Sequence, residues 1–126
     1  MTSTDIWTYR ETGALGVDVG RGIDMTGYSV EAIDGGIGKV DEATYEVGSS
    51  YLVVDTGPWI FGKKVLLPAG VVDRIDAEDE TIYVNRTKDQ IKGSPEFDES
   101  TYRDVDYRSD VGTYYGPEGR GWSDLG

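Results

Sequence analysis

The chain has 126 residues and a mass of 13.8 kDa, with 12 Lys plus Arg against 24 Asp plus Glu, no His and no Cys. A net charge of −12 repels phosphate backbones, and the missing side chains exclude disulfides, thiolate or imidazole metal sites, and Ser/His or Cys/His hydrolases. The length suits one domain with tails, and Gly at 18 positions, roughly twice ordinary usage, requires many turns and a modest core.

The first stretch, residues 1–26, is polar and punctuated by Gly13, Gly16, Gly20 and Gly22, with isolated apolar residues such as Ile6, Trp7 and Leu15. It reads as an N-terminal arm that docks on something else. Met1 to Arg10 lack a basic region followed by an apolar run, so no secretory leader is expected. No apolar stretch approaches the roughly 18 residues that span a bilayer. A cytoplasmic location without membrane insertion is therefore expected. Gly20-Arg21-Gly22 has neither the flanking strand nor the Gly-Lys-Ser/Thr of a phosphate-cradling loop.

From Gly27 onward short β-type runs alternate with turn clusters. Tyr28, Val30 and Ala32 alternate with Ser29, Glu31 and Ile33, and Asp34-Gly35-Gly36 then predicts a hairpin turn, with Ile37 to Ala43 returning antiparallel. Tyr51 to Val54 is a continuous apolar run, which suits a strand covered on both faces or the most buried stave of a barrel. Gly57-Pro58 breaks it, Lys63 to Leu67 predicts the next strand, and Pro68 ends the ladder because it has no N–H to donate. Val71, Val72 and Ile75 precede an acidic turn at Asp76 to Glu80, and Thr81 to Val84 makes the sixth strand. Thr87-Lys88-Asp89-Gln90 carries the residues of a capping box, which predicts a short helix stopped by Gly93 and Pro95. A second helix is expected within Ser100 to Val111, with Tyr102, Val105 and Ser109 on one face, Asp104 paired with Arg108 and Gly112 as its cap.

Several of these runs together resemble a PRC-barrel domain, a small β-barrel also found in the cytoplasmic part of the photosynthetic reaction-centre H subunit. The carriers are Gly27-Tyr28-Ser29-Val30, Ile37-Gly38-Lys39-Val40, Tyr51 to Gly57, Trp59 to Pro68, and Val84-Asn85-Arg86-Thr87-Lys88. The resemblance implies an all-β fold: a six-stranded PRC-type barrel over residues 27–97 with a short C-terminal helix, flanked by extended arms at 1–26 and 98–126. It also implies a protein without a shared catalytic residue set, since relatives serve as adaptor or assembly modules. One such relative covers the quinone side of a membrane complex and another helps a maturation factor dock on the small ribosomal subunit; neither role is expected here.

Within that barrel Trp59 and Phe61, set between glycines, are expected to plug an open end. Lys63 and Lys64 are adjacent on a strand and point to opposite faces, which argues against a joint anion site. Asp76, Glu78, Asp79 and Glu80 lack the order of a calcium-binding loop and read as a solvated turn. No catalytic residue, metal or cofactor is expected. Residues 94–126 are the oddity, because they combine 3 basic and 8 acidic residues with six aromatics. Acidic tails ordinarily avoid aromatics, whereas Tyr and Trp are enriched at interfaces. Tyr102, Tyr107, Tyr114, Tyr115 and Trp122 are thus the candidate interaction residues. The functional expectation is a structural module that self-associates into a homo-oligomer through its barrel and arms, the N- and C-terminal arms laid over a neighbouring barrel; the alternative is an adaptor binding a different protein through this tail. Nucleic acid is not an expected partner.

Overall fold

The computed structural model describes residues 6–7, 9, 24–44, 50–57, 64–116 and 119–121. Among the described residues six strands form one sheet: β1 (Ser29–Ala32), β2 (Gly35–Ala43), β3 (Tyr51–Asp55), β4 (Lys64–Pro68), β5 (Val72–Asp76) and β6 (Thr81–Val84). Two helices follow, α1 (Lys88–Lys92) and α2 (Val105–Tyr115). The ladder order is β4-β3-β2-β1-β6-β5, antiparallel except for the parallel pair β1 and β6. The edge strands β4 and β5 are consecutive in sequence and joined by a single 3-10 turn, Ala69–Val71. So short a link holds Pro68 and Val72 within about 14 Å. The two edge strands are thus tied to one another in sequence at one corner of the sheet.

Each strand begins where the sequence places it to within two residues. The first hairpin differs in detail: Ala32 pairs with Gly35, so Ile33 and Asp34 make the turn and β2 begins two residues earlier than expected. An irregularity in register between Val30 and Glu31 absorbs the offset, and both faces keep their polarity. Gly38, in the middle of β2, has φ +149°, and a Cβ there would lie 2.0 Å from the Asp55 carbonyl oxygen. Only glycine allows β2 and β3 to cross that closely.

Burial divides the sheet into two halves. In β1, β5 and β6 the buried residues are interrupted by exposed or half-buried ones, Val30 and Ala32 against Ser29 and Glu31, Ile82 and Val84 against Thr81 and Tyr83. These strands are covered on one face only. In β3, Tyr51 to Val54 are all buried, and in β4, Val65 to Pro68 are too. Such strands need cover on both faces. The inner cover is the common core of Val30, Ile37, Leu52, Leu67, Ile82 and their neighbours; the outer cover is the C-terminal segment, whose Val111 and Tyr115 belong to that same buried cluster. The core thus crosses the boundary between residues 97 and 98.

The capping box forms as its sequence predicts, with Thr87 accepting from the Gln90 amide at 3.2 Å and Gln90 accepting from the Thr87 amide at 2.8 Å. The second helix begins at Val105, five residues later than expected, and runs through Gly112 to Tyr115. Asp98 explains the late start. It accepts from the Ser100 amide and hydroxyl, and its carbonyl accepts from the Tyr102 amide, so residues 98–102 close a separate turn. The helix consequently faces the sheet with Tyr107, Val111 and Tyr115, while Val105 is 81% exposed. Among the described residues no helix is long and apolar enough to cross a membrane.

Candidate functional site

The residues that carry chemistry converge where the C-terminal segment meets the sheet. Phe97 stacks on Tyr102 with ring centres 4.8 Å apart, and Tyr102 meets Tyr51 edge-on at 6.2 Å. Both tyrosine hydroxyls donate to one carboxylate: Tyr102 to Glu42 Oε1 at 2.8 Å, Tyr51 to Glu42 Oε2 at 2.9 Å. Arg103 adds a third donor at 3.4 Å. Burial would push the Glu42 carboxyl up, but the two hydroxyls and the guanidinium outweigh it and hold it below the usual glutamate value. Beside this node Lys64 bridges Asp41 on β2 at 3.0 Å and Glu99 in the 98–102 turn at 3.2 Å. The ammonium that the sequence offers as half of an anion site is thereby engaged by two carboxylates; Lys63 lies outside the described residues.

At the other end of the segment stands Arg86, 1% exposed. It stands two residues past the end of β6, in step with the inward-facing Ile82 and Val84. Its guanidinium donates to the carbonyl of Gly121, to the carbonyl of Tyr115 at 3.1 Å, and to the side chain and carbonyl of Asn85. A guanidinium has five donors in a fixed fork, which suits the simultaneous capture of several carbonyls. Tyr114 adds a hydrogen bond to the Gln90 carbonyl at 2.7 Å and Tyr107 one to the Pro95 carbonyl at 3.1 Å. Burial pushes the Tyr107 hydroxyl up to about 12. The Tyr115 ring packs edge-on to Tyr114 at 5.1 Å, and its hydroxyl is buried without a hydrogen-bond partner among the described residues.

Tyr102, Tyr107, Tyr114 and Tyr115 are therefore all seated against their own chain. Trp122, and the expected plug residues Trp59 and Phe61, lie outside the described residues. Glu42, Arg86 and Arg108 carry the docking; sequence reasoning assigns none of them that role, and offers Arg108 only as a helix partner of Asp104. Arg108 spreads over the rings of Trp7 at 4.7 Å and Tyr51 at 5.6 Å, a cation–π arrangement in place of the expected pairing with Asp104. Nothing in a lone Glu or Arg within a chain so rich in charge marks it as a clamp. Arg86 alone leaves a trace, since it sits where an apolar strand runs into a helix cap.

The acidic turn is a structural device. Asp76 Oδ1 accepts from the amides of Glu78 and Asp79, both at 3.1 Å, and Glu80 takes a left-handed φ of 51° to close it. Among the described residues no group of three or more acidic, His or Cys side chains is arranged to hold a metal ion.

The model of the PRC-barrel domain family matches residues 21–91 of this sequence. No curated protein matches the chain.

Proposed function

Because the chain belongs to the PRC-barrel domain family, we propose that it is a non-catalytic assembly module whose six-stranded sheet closes as a small barrel and which self-associates into a homo-oligomer in a cytoplasmic setting. One observation carries most of this reading: Glu42, Lys64, Arg86 and Asp76, four of the side chains best suited to chemistry, are engaged in holding the chain in shape. Groups committed in this way position backbone and neighbours. The three-residue turn between the edge strands favours closure, because closing removes the last unpaired backbone groups of the sheet.

The alternative, an adaptor that captures a different protein with its aromatic tail, is less favoured, since Tyr102, Tyr107, Tyr114 and Tyr115 are occupied within the chain. Light scattering on the full-length protein tests the choice. With −12 per chain, self-repulsion opposes association and weakens as added salt shortens the screening length from about 10 Å at 0.1 M to about 3 Å at 1 M. The expected mass exceeds 13.8 kDa and rises with salt. The single-chain mass at every salt concentration excludes self-association and leaves the adaptor.

A further inference from the structure

Ile6, Trp7 and Tyr9 lie against the 3-10 turn Ala69–Val71, the approach to β3, and α2. The segment is held as a bound peptide is held. The Gly70 amide donates to the Ile6 carbonyl at 2.7 Å, the Ser50 amide to the Trp7 carbonyl at 2.8 Å, and the Tyr9 hydroxyl to the Thr44 carbonyl at 2.8 Å. Main-chain bonds of this kind supply affinity whatever the sequence, and the side chain filling the adjoining slot supplies selectivity. Trp7 fills it. The Arg108 guanidinium lies over its ring, and a Cβ on Gly112 would come within 3.1 Å of its Nε1. The fit at Gly70 is closer still: a Cβ there would stand 2.7 Å from the Ile6 carbonyl oxygen and 2.8 Å from its Cα, main-chain atoms that cannot rotate aside.

Fifteen residue steps separate Tyr9 from Asp24, a contour of about 50 Å at about 3.5 Å per residue. A folded domain of this length has a radius of gyration of only about 14 Å. The tether is long enough to deliver Trp7 to its own groove or to that of a neighbour. We propose that the groove between the 3-10 turn and α2 is a peptide-recognition site, and that two copies of this chain exchange their N-terminal segments, each Trp7 seating in the other's groove. The proposal rests on the self-association put forward above and names the contact that carries it. Every contact made within one chain is kept on exchange, so its extent is set by protein concentration and tether length.

Two full-length variants separate the two halves of the contact. Trp7→Ala keeps the groove and loses the anchor; Gly70→Val keeps the anchor and blocks the groove. Each alone is expected at the single-chain mass of 13.8 kDa, and their equimolar mixture at up to twice that mass, because the segment of one fits the groove of the other. A mixture that stays at the single-chain mass while the wild type runs heavier overturns segment exchange and leaves self-association standing. A wild type at the single-chain mass overturns both. Should either variant fail to melt cooperatively, a fluorescein-labelled peptide copying Met1 to Thr12 is titrated into the full-length Trp7→Ala protein, or into Trp7→Leu where Trp7→Ala does not fold, so that the groove lacks its own anchor. A saturable anisotropy rise that the same peptide with Trp7→Ala does not give supports the groove, and no rise overturns it.

Discussion

The Arg86 guanidinium donates to the main-chain carbonyl of Tyr115, 29 residues further along the chain, at 3.1 Å. The residue that leaves the last strand is thereby tied to the end of the last helix. Removing the guanidinium strands the Tyr115 and Gly121 carbonyls and the Asn85 side chain in the interior. Arg86→Met is expected to lower the unfolding free energy by about 3 kcal/mol or more, measured by urea denaturation. Arg86→Lys is expected to recover less than half of that, since one ammonium cannot span acceptors in three directions. A loss below about 1 kcal/mol in Arg86→Met would remove the clamp from the account.

Tyr115 separates ring from hydroxyl. The ring is fully buried, and the hydroxyl has no partner of hydrogen-bonding geometry among the described residues; the Ser94 hydroxyl lies close enough to act on it but donates to the Ile91 carbonyl at 2.7 Å. Tyr115→Phe is expected to change stability by less than about 1 kcal/mol or to raise it, because an unsatisfied donor is removed. Tyr115→Ala is expected to cost about 3 to 5 kcal/mol by leaving a cavity. Equal losses in both variants would mean that the hydroxyl is bonded.

The Glu42 node gives stability a pH dependence with a definite sign. A carboxyl held below its ordinary value of 4.5 by the hydroxyls of Tyr102 and Tyr51 and by Arg103, against the opposing effect of burial, contributes stability that is present above pH 4.5 and lost as pH falls through the folded-state value. Because Glu42 is partly exposed, solvent limits the contribution to about 1 kcal/mol or less. Glu42→Gln is expected to reduce stability at pH 7 and to flatten the fall below pH 4.5. Burial raises Tyr51, Tyr102 and Tyr107 above 10, so their contribution is complete below pH 10 and lost as pH rises through the folded-state values, about 12 for Tyr107. Chemical denaturation of wild type and variant at pH 3.5, 7 and 10.5 reads both limbs. A Glu42→Gln variant with the wild-type acid limb would contradict the assignment.

Much of the sheet is legible in the sequence because its signals are local. The alternation at Tyr28 to Ala32, the proline after Leu67, and Thr87 with Gln90 each act within a few residues. The apolar runs Tyr51 to Val54 and Val65 to Leu67 also announce that something covers both their faces. What covers them is not readable, because the segment that does so presents no strong periodicity: α2 buries Val111 and Tyr115 among charged and small residues. The aromatics in residues 94–126 therefore read as an interaction tail, and five of the six, Phe97, Tyr102, Tyr107, Tyr114 and Tyr115, pack against this chain itself. Glu42, Arg86 and Arg108 act across 29 to 60 residues or more, a separation at which one sequence carries no pairing signal.

Glu80 is the one non-glycine residue with positive φ among those described, at 51°. Left-handed backbone costs an L-residue roughly 1 to 2 kcal/mol, and glycine's extra freedom in the unfolded chain returns part of that. Glu80→Gly is expected to raise stability by up to about 1 kcal/mol, read as a higher melting temperature. A lower melting temperature would show that the Glu80 side chain stabilises the turn in another way.

The double cover of β3 and β4 is the centre of this account, and truncation after Phe97 tests it most directly. The shortened chain keeps all six strands and α1 but loses Tyr102, Val111 and Tyr115, and it bares Tyr51 and Arg86. Followed by far-UV circular dichroism, it is expected to lose the cooperative thermal transition of the full-length protein, or to melt at least 15 °C lower, a shift of about 3 kcal/mol for a domain of this size. A sigmoidal melt at the full-length midpoint would contradict the account, making residues 98–126 an arm that the core does not need.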